Sequence, residues 1–447
     1  MSERADKYNL TEGGILHKLL VIAVPIMGTQ FMQMAYNLTD MFWLGRVGSE
    51  AVASAGAAGM YMWLSFGFLL IGRMGAEIGV SQSLGRGDKK AALSFSQNSL
   101  LVALILGTLF GLPLVIFNRE LAGFFRFREP GVAADTAAYL AIVGIPMPML
   151  FISGVITGTF NASGNSRTPF ILNALGLAAN VILDPVFILV LGMGVKGAAA
   201  ATVISQLLVC ALMVAAIFLF KDRPFERYSF RFAVDRHRIK LIIRWAAPIG
   251  LESILFCFLS MVTSRIEAGF GAGAVAASKV GSQLESLSWL IGGGFGSALV
   301  AFIGQNYGAG KTERIRQGVK ISALVMAAWG TLVTLLLWFA GGFLFSFFLP
   351  DPAMVALGIP YLRILSFAQL PMNMEAVGAG AFKGTGRTLQ PSLASIATNA
   401  VRPVLAWALS RTALGLYGVW IGVSITALVR GVWVCLWYVL TERRGNR

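Results

Sequence analysis

The chain has 447 residues, of which 56% are hydrophobic and 13% are charged, and its formal net charge is +15. A soluble globular protein carries roughly 25% charged residues, so this composition argues against a soluble chain of several domains. The basic residues lie between apolar runs of about 20 residues or more, which excludes a nucleic-acid-binding domain and favours a protein that crosses a membrane repeatedly.

Twelve apolar segments are long enough to cross a bilayer, and we predict one helix for each of them. The runs are continuously apolar rather than alternating, which excludes a β-barrel and favours helices that satisfy their own backbone groups in lipid. The predicted spans, numbered 1 to 12, cover residues 15–43, 51–80, 92–117, 132–159, 168–192, 197–220, 239–267, 272–304, 317–348, 353–381, 388–411 and 415–440. The predicted fold is an all-α polytopic membrane protein.

Lysine and arginine are concentrated in both tails and in the loops that follow even-numbered spans. The positive-inside rule therefore predicts that both termini lie in the cytoplasm, in the plasma (inner) membrane of a bacterium or archaeon. The first ten residues are polar and lead directly into span 1, so we expect no cleaved signal peptide. The cysteines Cys210, Cys257 and Cys435 all lie in apolar spans and indicate neither a disulfide framework nor a metal site.

The two halves of the chain repeat one another at an offset of 222 or 223 residues. The matching pairs are Pro25 with Pro248, Gly48 with Gly271, residues 81–88 with 304–311, and residues 160–169 with 382–391. Each half holds six spans, so the repeat predicts two pseudo-symmetric six-helix lobes with a substrate site between them near the membrane midplane. We divide the chain into an N-terminal lobe (1–220), a basic cytoplasmic linker (221–238) and a C-terminal lobe (239–447).

Span 1 carries an acidic residue deep in its apolar stretch, where a charge is costly and calls for a function. Asp40 shares one helical face with Gln33, Tyr36 and Asn37, and that face must meet a wet cavity rather than lipid. Met32 lies in a methionine-rich stretch, which suits an adaptable apolar cavity, although a single methionine also serves as lipid-facing filler.

Span 5 repeats this pattern. Asn173, Asn180 and Asp184 share a face, and Pro185 removes a backbone donor directly after the aspartate. Span 6 contributes the hydroxyl of Thr202. Two carboxylates, an amide and a hydroxyl are hard oxygen ligands, which suit Na⁺ or a shared proton. The alternative for these residues is interhelical hydrogen bonding without an ion.

The second half does not repeat the acidic cluster. Thr263 stands at the position of Asp40, and we align Arg402-Pro403 with Asp184-Pro185. An ion-coupling site is therefore expected in the first lobe only.

The second half has polar positions of its own. The candidate cavity residues there are Glu252, Lys279, Gln283 and Glu375. Glu252 and Lys279 are open to two interpretations, a buried ion pair or a contact with substrate. In span 2, Arg73 and Glu77 are spaced i, i+4, which predicts an intrahelical pair.

Three features in this order resemble a known family. They are the helix from Pro25 to Asp40 that ends in Met-Phe-Trp-Leu-Gly (41–45), the paired Gly-X-Gly loops at 85–87 and 308–310, and Phe-Asn-Ala-Ser-Gly-Asn-Ser-Arg-Thr-Pro at 160–169. The last is similar to the Gly-Asp/Asn-X-Arg-Thr-Pro signature of the MATE (multidrug and toxic compound extrusion) family. The resemblance covers essentially all twelve spans.

The resemblance implies efflux of organic cations in exchange for H⁺ or Na⁺, by alternating access between two lobes. The resemblance is to the DinF-like branch of the family, whose coupling site lies in the first lobe. The residues that match that H⁺ or Na⁺ site are Asp40, Asn180, Asp184 and Thr202. The NorM-type branch places a glutamate further from the span-7 proline than Glu252 is, and an aspartate where span 10 has Glu375.

The expected partners are lipophilic or cationic small molecules and the lipid bilayer, with no nucleic acid. We expect a monomer, and no cofactor apart from the coupling ion. A flippase for lipid-linked precursors is the near alternative, but it is usually built around a cationic cavity. A membrane enzyme lacks a catalytic set here, since the two histidines, His17 and His237, lie at membrane edges. A non-transporting scaffold or receptor does not explain the repeat and the buried carboxylates.

Overall fold

The computed structural model describes residues 8–127, 129–220, 222–225, 228, 234–348 and 351–445. This part of the chain forms α-helices joined by short turns. They are α1 (Ile15–Val47), α2 (Ser49–Gly85), α3 (Lys89–Ile116), α4 (Asn118–Gly123), α5 (Pro130–Gly144), α6 (Met147–Ala162), α7 (Arg167–Pro185), α8 (Gly194–Leu219), α9 (Arg236–Ala268), α10 (Ala272–Gly308), α11 (Thr312–Phe339), α12 (Gly341–Phe348), α13 (Pro352–Gly384), α14 (Leu389–Ser410) and α15 (Leu416–Gly445).

Twelve membrane spans follow from these helices, because α4 and α12 are short and α5 with α6 forms one bent span. By length and composition, ten of the described helices can cross a membrane, or eleven with the bent pair. The twelfth, α14, has 22 residues but fails on composition, since it carries polar residues such as Asn399 and Arg402. It packs between α9 and α15, which shields those groups from lipid.

Three predicted spans differ from the structure in ways that prolines and glycines explain. Span 4 is broken, because Pro146 begins a new helix and the two halves cross at 52°. Span 5 leaves the α-helix after Pro185 and continues as one π-helical turn, Val186–Val190. Span 9 does not reach residue 348, since α11 ends at Phe339 and α12 starts at Gly341.

The internal repeat is visible in the backbone. Gly87 and Gly310 both have positive φ, at 76° and 70°, and Gly164 and Gly386 both do, at 88° and 79°. These are left-handed turns that glycine adopts without strain, and they occupy matching places in the two halves. The repeat also corrects one alignment made from the sequence. Because α7 and α14 begin 222 residues apart, Arg402 is the counterpart of Asn180 and not of Asp184.

A hydroxyl group of the 160–169 motif lies beside the carbonyls that precede a proline in α1. Pro25 has no N–H, so the Val21 carbonyl one turn earlier loses its helical donor. The Ser166 hydroxyl lies at this gap, where it donates to the neighbouring Ile22 carbonyl at 2.8 Å and is 3.4 Å from the Val21 carbonyl. Such substitutes are what allow a proline inside a membrane helix.

The two lobes meet along a surface that we call the seam, formed by the ends of α2, α6, α10 and α13. Helices α2 and α10 approach so closely there that a Cβ at Gly85 or Gly308 would meet the backbone of the other helix. Across the seam, Gln305 Nε2 donates to the Ala162 carbonyl at 2.8 Å, and Gln82 Nε2 donates to that of Gly384 at 3.0 Å. The lobes are therefore closed against each other on this side.

Residues 8–12, which we call the terminal strap, lie across the closed seam. Leu10 is 1% exposed and packs in an apolar cluster with residues of α1 and α10. Its N–H donates to Gln305 Oε1 at 3.1 Å, and its carbonyl accepts from Asn306 Nδ2 at 3.1 Å and Arg314 Nε at 3.2 Å. The strap also touches the first lobe, since its backbone at Tyr8 lies against Gly164. It thus holds both lobes at once.

Both chain ends lie on the same side of the membrane, which we call the terminal face. Lys311 pairs with Glu12 of the strap at 3.8 Å, and Arg316 pairs with Glu442 near the other end of the chain at 3.6 Å. Eight of the eighteen residues of the predicted linker, 221–238, lie outside the described residues, so its extent remains a prediction. At its end, the Asp235 carboxylate caps α9 by accepting the backbone N–H groups of His237 and Arg238.

Candidate ion-binding site

The four residues expected to form the first-lobe site lie together inside that lobe. Thr202 on α8 donates its hydroxyl to Asp40 Oδ2 on α1 at 3.1 Å. On α7, Asn180 Nδ2 donates to Asp184 Oδ1 at 3.0 Å and lies 3.4 Å from Asp40 Oδ1. One amide therefore faces both carboxylates. Asn180 and Asp184 are fully buried, and Asp40 is partly exposed.

Several buried oxygens in this cluster lack a hydrogen-bond partner among the described residues. They are Asn180 Oδ1, Asp184 Oδ2, the Tyr36 hydroxyl and the Ser205 hydroxyl. Tyr36 packs over Gly176 of α7, one turn before Asn180, and Ser205 lies one helical turn after Thr202, so these oxygens belong to the same part of the lobe as the carboxylates. A buried polar atom without a partner is costly, and a small cation removes that cost.

The local sequence explains why α7 can offer this site. Pro185 has no N–H to give to the Val181 carbonyl, and the next five residues form a π-helical turn, which is often found at functional sites. On the neighbouring turn, any residue larger than Gly176 would clash with Tyr36 and Val209. Asn173, which shares the predicted face, donates instead to the Pro169 carbonyl at 2.7 Å and takes no part in the site.

The ligand set fits Na⁺ or a proton better than a transition metal. No group of three or more His, Cys, Asp or Glu side chains that could hold a metal ion occurs in the described part of the chain. Two carboxylates, an amide oxygen and hydroxyls instead offer hard oxygen ligands in a small, buried space. Asp40, Asn180, Asp184 and Thr202 are the residues that would hold such an ion.

The remaining first-half candidates lie on α1, between the cluster and the second lobe. Gln33 and Asn37 are exposed, Met32 is half-buried and Tyr36 is buried. The same helix approaches α10, where the Ser286 hydroxyl lies 4.0 Å from Met34 Sδ. This segment of α1 therefore has one face toward the ion cluster and another toward the opposite lobe.

In the second lobe, Glu252 and Lys279 do not form an ion pair within the described residues. Glu252 Oε2 on α9 accepts from the Ser392 hydroxyl on α14 at 2.9 Å, while Lys279 is exposed. Gln283 is half-buried on α10, one turn from Lys279. Of the two interpretations of Glu252 and Lys279, the buried ion pair is absent in this conformation, and a contact of Lys279 with substrate stays a prediction.

Glu375 belongs to a charge network that sequence reasoning did not foresee. It accepts from Arg430 Nε at 2.7 Å, and Arg430 Nη1 lies 3.3 Å from Asn399 Oδ1. The position of Arg430 inside an apolar span is the feature of the sequence that indicates such a network, since a charge in the membrane needs a partner. Close by, Arg402 is 9% exposed and donates from Nε to the Thr426 hydroxyl at 3.2 Å. Glu375 thus already has a cationic partner within its own lobe.

A family model described as MatE matches the chain twice, over residues 25–186 and 248–408. The chain belongs to the MatE family. The two matches begin at Pro25 and Pro248, in agreement with the internal repeat. The chain is thus a multi-pass membrane transporter and not an enzyme.

Curated relatives align along almost the whole chain. A "Probable multidrug resistance protein NorM" of Thermotoga maritima is 26% identical over 437 residues, covering 95% of this chain and 92% of the relative. A "Probable multidrug resistance protein YpnP" of Bacillus subtilis is 25% identical over 438 residues, covering 96% of each. A "FAD transporter" of Shewanella oneidensis is 28% identical over 458 residues, covering 98% and 97%.

Solved structures share the fold. One, described as the outward-facing conformation of a multidrug resistance MATE family transporter, has a TM-score of 0.89 at 21% identity and covers 97% of each chain. Another, a MOP superfamily transporter from Pyrococcus furiosus described as having a binding pocket of reverse polarity, has a TM-score of 0.89 at 22% identity and covers 98% of each. The twelve-helix fold with two six-helix lobes predicted from the sequence is confirmed.

Proposed function

We propose that this MatE protein is a secondary antiporter that exports lipophilic organic cations in exchange for H⁺ or Na⁺ by alternating access. The observation that carries the proposal is the first-lobe cluster, in which Asn180 Oδ1 and Asp184 Oδ2 are buried without a hydrogen-bond partner among the described residues, close to the carboxylate of Asp40. A membrane protein keeps such a costly group only for a function, and binding of a small cation satisfies these oxygens.

Each residue of the cluster has a distinct task in this scheme. Asp40 and Asp184 supply the charge that attracts the ion, Asn180 offers its oxygen to the ion while its NH₂ holds the two carboxylates, and Thr202 orients Asp40. The bound ion supplies a positive charge that lets the two carboxylates approach each other. When the ion leaves, their repulsion changes how α1, α7 and α8 pack, and that change is the coupling step.

Export of organic cations is supported by the two carboxylates of the first-lobe cluster and by relatives named as multidrug resistance proteins. We place the substrate between the lobes, next to Met32, Gln33 and Asn37 of α1 and opposite Gln283 of α10. The exposed amides offer polar contacts, and methionine gives an adaptable apolar surface that accepts dissimilar substrates.

We further propose that the terminal face is cytoplasmic, because lysine and arginine are concentrated in the loops and tails on that side. With the seam closed on this face, access of substrate to the space between the lobes would be from the outside. We also propose that the protein lies as a monomer in the inner membrane of a bacterium or archaeon.

The test is efflux of ethidium from cells that express wild type or Asp40→Asn, with and without Na⁺ and across pH. Asp135→Asn is the matched control, since Asp135 on α5 makes no hydrogen bond or ion pair with another described residue. We expect Asp40→Asn to abolish efflux at normal membrane abundance and the control to pump normally. Efflux by Asp40→Asn at the wild-type rate would refute the first-lobe site, and a wild type that moves no cation would favour the flippase alternative.

A second candidate is export of an anionic aromatic metabolite. The two terminal nitrogens of the buried Arg402 have no hydrogen-bond partner among the described residues, and its guanidinium lies 5.6 Å from the centre of the Phe256 ring. A guanidinium with two available terminal nitrogens beside an aromatic ring suits a phosphate next to a flat ring system, and one relative is named as a FAD transporter. If FAD competes with ethidium for export by the wild type and no longer does so in Arg402→Gln, this candidate is supported.

A further inference from the structure

A second buried carboxyl lies outside the ion cluster, on α2. The side chain of Glu77 is 0% exposed, and neither Oε1 nor Oε2 has a hydrogen-bond partner among the described residues. Its neighbour one turn away, Arg73, has Nε at 3.9 Å from Glu77 Oε2, at the outer limit of an ion pair, and that Nε also lacks a hydrogen bond. The predicted intrahelical pair is therefore present, but it satisfies neither group.

The position of Glu77 on α2 places it at the seam between the lobes. One turn before it, Arg73 packs on Gly158 of α6 in the first lobe, and one turn after it, Ser81 packs on Gly304 of α10 in the second lobe. Gln305, the next residue of α10, is hydrogen bonded to the Ala162 carbonyl of α6. Glu77 thus lies on the stripe of α2 that runs from its contact with α6 of the first lobe to its contact with α10 of the second.

Few charged groups face this carboxyl. Besides Arg73, Lys383 at the end of α13 interacts with it electrostatically across the seam. Helix α6 has no titratable residue, and the charged residues of α10, Lys279 and Glu285, lie about 30 Å or more from Gly304 along the helix. Two further helices pack on other faces of α2, α9 through Ile242 against Gly75 and α3 through Phe95 against Gly79, and neither forms a described ion pair with Glu77. The charged or titratable residues of this end of α9 and of α3 are Arg236, His237, Arg238, Lys240, Arg244, Lys89 and Lys90.

A carboxylate held in this way loses its hydration and gains no hydrogen bond in return. The neutral acid avoids most of that cost. Once the seam opens, water reaches Glu77 and the charged form becomes favourable, so closing the seam and binding a proton at Glu77 stabilise each other.

We propose that Glu77 is a proton-binding residue of the seam, which holds a proton while the lobes are closed on the terminal face and releases it to water when they open. This inference rests on the proposed antiport function, and adds a second ionisable site that links proton binding to the conformational step. It also implies that acid favours the closed seam, because protonated Glu77 accumulates below its titration point and charged Glu77 above it.

The experiment follows the opening of the seam directly. The three native cysteines are replaced, and Lys90 on α3 and Gln317 on α11, both exposed on the terminal face, are changed to cysteine and spin-labelled. Distances between the labels are measured in the purified full-length protein in lipid nanodiscs from pH 5 to 9. The variants are Glu77→Gln, which mimics the neutral acid, and Glu50→Gln, the same change at an exposed position of α2.

We expect the open-to-closed ratio of wild type and Glu50→Gln to rise with pH by up to about tenfold per unit, the limit for one titrating group. Glu77→Gln should stay closed at every pH. An unchanged pH dependence in Glu77→Gln would overturn the proposal. So would a loss of thermal stability in Glu77→Gln that the double variant with Arg73→Gln restores, because that result marks a structural ion pair.

Failure of this inference can be separated from failure of the proposed function. Ion-coupled flux in wild-type proteoliposomes together with wild-type opening in Glu77→Gln would overturn the role of Glu77 alone. Wild-type protein without ion-coupled flux, but with opening that depends on Glu77, would support the seam assignment and overturn the antiport.

Discussion

The terminal strap offers a sharp test of how the closed conformation is held. Leu10 is 1% exposed, and its side chain packs between α1 and α10. Gln305, Asn306 and Arg314 bind the backbone of Leu10, not its side chain. Leu10→Ala therefore removes apolar burial while leaving the hydrogen bonds possible, and it affects only the conformation in which the strap is docked.

The size of the effect follows from the buried surface. Full burial of a leucine side chain stabilises a structure by about 1.5 to 3 kcal/mol, and alanine retains only a small part of this. A loss of about 2 kcal/mol from the closed conformation alone would raise the open-to-closed ratio about thirtyfold, since every 1.4 kcal/mol is tenfold.

The spin-labelled pair at positions 90 and 317 measures this ratio at a fixed pH. Leu16→Ala is the matched control, because Leu16 on α1 is 44% exposed and loses little on truncation. We expect Leu10→Ala to populate the long distance and Leu16→Ala to match wild type. If both variants gave the wild-type distribution, the strap would not hold the seam, and the reasoning from burial would be refuted.

Three further substitutions test other parts of the structure. Gly308→Ala should prevent full closure of the seam, because a Cβ there meets the backbone of α2, and the label distance should lengthen at every pH. Ser166→Ala should lower the unfolding free energy by about 1 kcal/mol, since it removes the hydrogen bond that the hydroxyl donates to the Ile22 carbonyl, and thermal melts in detergent would show it. Glu375→Gln should cost about 1.5 to 3 kcal/mol by removing the carboxylate that faces the partly buried Arg430, and the double variant with Arg430→Gln should recover most of that stability.

The sequence was sufficient to predict the spans and the first-lobe cluster, for physical reasons. Apolar runs of membrane length leave few alternatives to helices, and the repeat indicates how the helices are shared between two lobes. Asp40 and Asp184 stood out because a carboxylate in an apolar span is costly. The structure brings these two residues together with Asn180 and Thr202. That this cluster couples an ion remains a proposal.

Other contacts depend on tertiary structure that periodicity does not encode. The polar N-terminal segment gives no sign of a packed position in the sequence, yet Leu10 is buried, and Gln305 and Asn306, almost 300 residues away, bind its backbone. Glu252 was weighed as a partner of Lys279, but the nearer donor is the hydroxyl of Ser392 on α14. Which of several polar groups meet depends on helix rotation, and the span pattern leaves that undetermined.

In the proposed mechanism, the Asp40–Asp184 cluster couples an inward-moving cation to export of the substrate. The most direct test is to impose an ethidium gradient on proteoliposomes, in the absence of any ion gradient, and to record movement of H⁺ or Na⁺ in the opposite direction. We expect ion counterflow in wild type and none in Asp184→Asn, with the protein still folded. Ethidium transport without ion movement in wild type, or counterflow that persists in Asp184→Asn, would contradict it.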